Sequence, residues 1–211
     1  MKKLVIASNN AGKLREFNAL FLRYGIDAVT QGSLGITEAD EPFFTFVENA
    51  LAKARHASKL SGLPALADDS GICVAALNGA PGVLSARYAQ NSPSESKSDA
   101  RNNEKLLADM QGVADRRAFF YCVLVYVRTH DDPQPIIADG HWHGEIAHAP
   151  RGTGGFGYNP VFNIPGLNLT AAEATEVQKN TLSHRAQALA ILMDKLQQCG
   201  LIDAATAKQN G

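Results

Sequence analysis

The run Arg117 to Arg128, RAFFYCVLVYVR, constrains this chain most, because it is aromatic and β-branched along nearly its whole length. Such a composition reads as a strand. After the turn-like His130-Asp131-Asp132-Pro133, Pro135 to Ile146 continues as a partner, and the pair is predicted to be antiparallel. Elsewhere the pattern changes period. Lys2 to Ala7 is a short apolar strand, Ser8 to Gly12 a polar loop, and Leu14, Phe17, Leu20 or Phe21, and Tyr24 recur at helical spacing. A second helix is predicted from Thr45 to Leu60, with Phe46, Ala50, Ala54 and Ala57 on one stripe and Ser61-Gly62-Leu63-Pro64 as its stop. Pro64 to Ala67 and Ile72 to Leu77 read as two short strands separated by a turn at Asp68 to Gly71, with a loop at Asn78 to Gly82. Ser92 to Asp99, rich in Ser, Lys and Pro, reads as a mobile loop before a surface helix over Asn102 to Met110. Pro150 to Gly166 is a glycine-rich loop, and Thr170 to Glu173 has capping-box spacing before a short helical turn. The last helix runs from Ser183 to Gln198 with Ala186, Leu189, Ala190, Met193 and Leu196 inward, and 199–211 reads as a frayed tail. Strands and helices interleave without an internal repeat, so the expected class is α/β with a mixed sheet.

Over 211 residues, 20 Lys and Arg against 21 Asp and Glu leave a formal net charge of -1. That near-neutrality excludes a polybasic sheath for nucleic acid, so any anion must be bound by locally placed cations and backbone N–H groups. Neither a signal h-region nor a membrane-length apolar stretch is present, and Cys73, Cys122 and Cys199 fit neither a disulfide framework nor a CxxC metal site. A cytoplasmic protein with reduced thiols, binding a small ligand and neither nucleic acid nor membrane, is the expectation.

Several segments could carry chemistry, and each has a plainer reading beside it. Ser8-Asn9-Asn10-Ala11-Gly12-Lys13 places small and amide residues, a glycine and a lysine at a helix start, which suits either a phosphate or simple capping. It lacks the GxxxxGK[ST] pattern of a Walker A loop. Asn49 and Lys53 stand four apart on one helix face and reach either a ligand or solvent. In Asp68-Asp69-Ser70-Gly71 two adjacent carboxylates lie between apolar segments, an arrangement whose repulsion a bound Mg²⁺ would offset and which turn capping would also explain. Pro150 to Pro160, PRGTGGFGYNP, fits a close backbone approach with Phe156 stacking on a base, or a connection with Phe156 plugging the core. Ser183 is a natural N-cap, and Arg185 reads against the helix dipole as an anion or carbonyl partner, or as a snorkelling surface residue. His141, His143 and Glu145 alternate on one strand face; an exposed face with Trp142 turned inward explains them without zinc.

In this order, SNNAGKLREF, TFVENALAKA, LADDSG, GAPGVLSARY, GTGGFGYNP and SHR resemble the inosine/xanthosine triphosphate pyrophosphatase family, from Lys3 to about Leu196. The resemblance implies an elongated mixed β-sheet flanked by helices, with two lobes and a central active-site cleft in a single domain over 1–198, and a homodimer. It implies Mg²⁺-dependent hydrolysis of non-canonical purine nucleoside triphosphates (dITP, ITP, XTP) to the monophosphate and pyrophosphate; a nucleotide sensor without hydrolysis is the alternative. Position by position, Ser8, Asn9, Asn10, Ala11, Gly12 and Lys13 would cradle the triphosphate and Lys53 would join them. Asp69 matches the catalytic carboxylate and metal ligand, with Asp68 beside it and Glu41 as second metal contact, and Ser70 matches a substrate contact. Phe156, with Gly157, Tyr158 and Asn159, would hold the purine, while Lys179, Ser183, His184 and Arg185 would read its 6-oxo edge. Two positions depart from the family pattern. Ser8-Asn9-Asn10 stands for the usual Thr-Gly-Asn, and Asn159 replaces the aspartate of GYD or GWD.

Overall fold

The computed structural model describes residues 3–9, 17, 21, 24–92 and 94–203. Seven strands form one sheet in the order β2-β1-β3-β4-β5-β6-β7: β1 Lys3–Ile6, β2 Asp27–Thr30, β3 Ala65–Val74, β4 Arg117–Val127, β5 Ile136–Ile146, β6 Phe162–Ile164 and β7 Leu169–Thr170. β1 pairs in parallel with β2 and β3, while β6 pairs antiparallel with β5 and β7, so the sheet is mixed. The described helices are α1 Phe46–Ser61, α2 Asp99–Asp109, α3 Glu176–Leu182 and α4 His184–Gln198. None of them is long and apolar enough to cross a membrane.

The chain divides into two compact units, Met1–Asp69 with Val123–Ala138 and Ala188–Gly211, and Ser70–Cys122 with Asp139–Gln187. In the first unit α1 begins where the sequence predicts: Thr45 caps it, its hydroxyl accepting from the Glu48 N–H at 3.3 Å, and Gly62 ends it at φ +69°. Ala50, Ala54 and Ala57 are fully buried, and their small size permits close packing. Asn49 and Ser58 share that buried face, whereas Phe46 is only half-buried. The connection after β4 is closed by Asp132, buried to 2%, which accepts from the Arg128 N–H at 2.9 Å, Arg128 Nε at 2.8 Å and the Gln134 N–H at 2.9 Å. Past α4, Leu201 N–H donates to Leu196 O at 2.9 Å and Ile202 is buried, so ordered packing extends beyond 199, where a frayed tail is expected; 204–211 lie outside the described residues. Of the predicted first helix, only Phe17, Phe21 and Tyr24 are described, with Phe17 and Phe21 buried and their rings 6.1 Å apart.

The core of the second unit gathers Ile72, Leu106, Met110, Phe120, Trp142 and Phe162, with the Phe120 and Phe162 rings 4.6 Å apart. β5 alternates as a half-covered strand should: Trp142 points in, while Asp139, His143 and Glu145 are exposed. Two expectations need correction. β3 is one ten-residue strand, not two strands about a turn, so Asp68 and Asp69 sit mid-strand with their side chains on opposite faces. Pairing with β1 and placement beside β4 override the turn preference of Asp, Ser and Gly. The segment expected to be a mobile loop is tied down: Glu95 accepts from the Asn91 N–H at 2.8 Å, Gln90 donates to Glu95 O, and Arg101 bonds both Glu95 and Ser96 O. The short helical turn expected at Thr170 to Glu173 is present, with the Ala174 N–H donating to Thr170 O at 3.1 Å and Glu173 reaching back to the Thr170 N–H at 2.8 Å; a full capping box stands at Thr175 and Gln178, where α3 begins.

Candidate functional site

Asp69 and Lys53 are brought together by the fold of the first unit. β3 aims Asp69 at α1, where Lys53 lies one turn beyond Asn49. Lys53 Nζ donates to Asp69 Oδ1 at 3.1 Å and to Glu41 Oε1 at 2.7 Å, with only 13% of its side chain exposed. The helix-face lysine is therefore not a solvated one. Asn49, buried to 1%, accepts from the Phe43 N–H at 3.1 Å and donates to Phe43 O at 3.2 Å and Asp69 Oδ2 at 3.4 Å. One amide thus fixes the backbone two residues after Glu41 and steadies Asp69. Sequence spacing places Asn49 beside Lys53 but gives it no such partners.

The electrostatics follow from crowding carboxylates around one buried cation. Burial is the largest influence on Lys53 and works against the ammonium, but the fields of Asp69, Asp68 and Glu41 together outweigh it and hold the lysine above its ordinary pKa. Burial likewise pushes the Asp69 carboxyl up; Lys53 opposes that shift, while Glu41 and Asp68 reinforce it. The net direction for Asp69 is upward, so it is a better proton acceptor than a surface aspartate. Asp68 is also buried, at 3%. Among the described residues no group of three His, Cys, Asp or Glu is placed to hold a metal ion. Asp69 and Glu41, drawn to the same ammonium, nevertheless supply hard carboxylate oxygens in the number Mg²⁺ uses when phosphates and waters complete its shell.

Of the expected phosphate loop, Ser8 and Asn9 are described, while Asn10, Ala11, Gly12 and Lys13 lie outside the described residues. The departure at Asn9 is accommodated locally: its Nδ2 donates to Glu38 Oε1 at 3.1 Å, and its Oδ1 lies 2.7 Å from where a Cβ on Gly32 would stand.

The second unit positions the residues expected to meet a base. Phe156 exposes 43% of its surface, and the Arg185 guanidinium carbon lies 5.9 Å from its ring centroid. Arg185 is buried to 4%, not a surface residue, which fits a cation packed on an aromatic face. Phe156 accordingly does not plug the core; Tyr158 does, buried to 4% with its hydroxyl donating to Ser85 O at 2.8 Å. Asn159 sits against Gly155, where a Cβ would come within 2.0 Å of Asn159 Nδ2. Ser183 caps α4 as predicted, its hydroxyl accepting from the Ala186 N–H at 3.2 Å. His184 stacks on Phe120 at 5.0 Å, and Lys179 Nζ lies 2.6 Å from Glu176 Oε1. Ser70, the first residue of this unit, is half-buried on β3. His141 and His143 stack on each other at 5.9 Å along the outer sheet face beside Phe119.

Comparison with known proteins covers nearly the whole chain. The model of the Ham1 family matches residues 4–195. A protein of Ralstonia nicotianae named dITP/XTP pyrophosphatase is 64% identical over 93% of this chain and 98% of its own length. Another of that name, from Burkholderia pseudomallei, is 63% identical over 92% of this chain and 93% of its own. Among solved structures, a HAM1 protein from Coxiella burnetii superposes with a TM-score of 0.87 at 45% identity, covering 94% of this chain and all (100%) of that one.

Proposed function

The chain belongs to the Ham1 family, and from that premise we propose that it hydrolyses non-canonical purine nucleoside triphosphates, dITP, ITP and XTP, to the monophosphate and pyrophosphate. The observation that carries this reading is the buried Lys53 shared by Glu41 and Asp69. Asp69, with its raised proton affinity, takes a proton from an attacking water. The water oxygen bonds to the α-phosphorus, the bond from that phosphorus to the bridging α,β oxygen breaks, and pyrophosphate leaves with the bonding electrons. Lys53 keeps the carboxylates aligned and offsets charge as it accumulates on the phosphates. Asp69 and Glu41 would hold Mg²⁺, which when bound supplies neutralisation of the phosphate oxygens.

Base selection follows from hydrogen-bond polarity. Inosine and xanthine present a carbonyl acceptor at C6 where adenine presents an amino donor, so Lys179 and Arg185, which only donate, favour the former. The exposed ring of Phe156 offers a stacking face. A purine triphosphate as partner is supported by the names of the relatives. Mg²⁺, a second copy of the chain and a cytoplasmic location belong to the same proposal: the carboxylate pair supports the first, the motif resemblance the second, and three unbridged cysteines the third.

The test is a product assay with ITP, dITP, XTP, GTP and ATP, with Mg²⁺ and with chelator. Pyrophosphate and monophosphate from the first three, lost with chelator, are expected. Stepwise orthophosphate release would overturn the cleavage site, and binding without products would replace the enzyme with a sensor.

A further inference from the structure

Gly157 is held at both of its backbone polar groups by side chains one helical turn apart. Its N–H donates to Asp99 Oδ2 at 2.6 Å, and its carbonyl accepts from Asn103 Nδ2 at 3.0 Å. Asp99 and Asn103 are an i,i+4 pair on α2, so they face the same way. The helix is itself anchored, since Ser98 caps it by accepting from the Arg101 N–H at 3.3 Å, and Asn102 Oδ1 accepts from the Ala89 N–H at 2.8 Å. Gly157 has φ +61°, a left-handed conformation that leaves the backbone to be fixed by such partners rather than by its own side chain. Its neighbours differ sharply: Tyr158 is buried and bonded to Ser85 O, whereas Phe156 stands exposed beside Arg185. The clamp therefore lies at the junction between the buried half of the loop and the exposed ring.

The geometry points to Asp99 and Asn103 as positioning residues for base recognition, which set the direction of the Phe156 ring through Gly157 without touching the nucleotide. This rests on the base-stacking role proposed for Phe156. The polarity of the clamp is fixed: Asp99 can only accept from the glycine N–H, and the Asn103 amide is oriented by the carbonyl it serves. Asn103 Oδ1 is buried and takes no partner among the described residues, so nothing in the described structure favours the flipped amide.

The experiment compares steady-state hydrolysis of ITP by the full chain with that by D99A, D99N, N103A and N103D, beside inhibition by inorganic triphosphate, which has no base. With D99A, N103A and N103D, KM for ITP is expected to rise about tenfold, from the loss of one hydrogen bond to a charged or buried partner. kcat should change little, and the inhibition constant of triphosphate should stay at its wild-type value. D99N keeps an acceptor oxygen toward Gly157 and should restore most of the affinity. An unchanged KM in all the variants, or a parallel loss of ITP and triphosphate affinity, overturns the clamp. A wild-type chain that releases no pyrophosphate overturns the proposed reaction instead. The clamp is then judged by calorimetric binding of inosine monophosphate to the same variants, where wild-type affinity in D99A and N103D, or no binding by the wild type, sinks it.

Discussion

Lys53 carries one positive charge and faces two carboxylates within hydrogen-bonding distance, so these three described side chains together carry a net negative charge that a proton or a bound cation would offset. The consequence is a titration. A general base must be unprotonated to work, so activity should rise with pH through the Asp69 pKa, and burial places that pKa above the ordinary aspartate value of 3.8. Carbon NMR of the metal-free wild type is expected to place the Asp69 pKa above that value, and the hydrolysis should show an acid limb. In Asp69→Asn the limb should vanish, with turnover down by about two to four orders of magnitude. A correctly folded D69N with full turnover would remove Asp69 from the mechanism. Neither Cys73 nor Cys122 complicates such measurements: both are buried, and burial pushes the Cys73 thiol up to about 11.

β3 and α1 together make the site rigid, and Asn49 is where they meet. Its amide ties Phe43 to Asp69 from a fully enclosed position, so Asn49→Ala leaves a backbone N–H and a carbonyl without their partner. The expected cost is about 1–3 kcal/mol of stability by thermal or urea unfolding. A larger relative fall in kcat than in substrate affinity should accompany it, since the loop that carries Glu41 is released as well. Much of this architecture was legible: Thr45 and Gly62 bound α1 as predicted, Ser183 caps α4, and Trp142 faces inward on β5. What was not legible depends on contacts distant in sequence. Asp68-Asp69-Ser70-Gly71 has the local preference of a turn, and only ladder pairing and the cation on α1 keep it extended. Of the two readings open for Arg185, the snorkelling surface residue falls only when Phe156, far away in sequence, supplies the aromatic face it packs against. The turn at Thr170 to Glu173 is legible in its capping-box spacing, whereas α3, capped by Thr175 and Gln178, buries no residue and so has no apolar stripe to mark it. Of the candidate site, motif order singles out Asp69 and Lys53, whereas their ion pair and the bracing by Asn49 need coordinates.

Neither compact unit is a continuous stretch of chain. The first is assembled from three segments, and its last contributes Leu189, Leu192, Met193 and Leu196, all buried. Each such side chain is worth about 2–5 kcal/mol on truncation, and their sum rivals the whole stability of a domain, roughly 5–15 kcal/mol. A chain ending at Gln187 is therefore expected to lose cooperative thermal unfolding by circular dichroism, even though the Asp69, Lys53 and Glu41 cluster lies far upstream. Retention of a sharp transition by that truncated chain would mean that α4 is dispensable to the first unit. The chain leaves the first unit within β3 and returns to it for the last time within α4, between Gln187 and Ala188. On the ribosome, then, the residues made first cannot complete their fold until those near the end have left the exit tunnel. Early-emerging Leu4, Val5 and Ile6 must wait for much of the time of synthesis before their unit closes, and over that interval chaperones have an apolar target to hold.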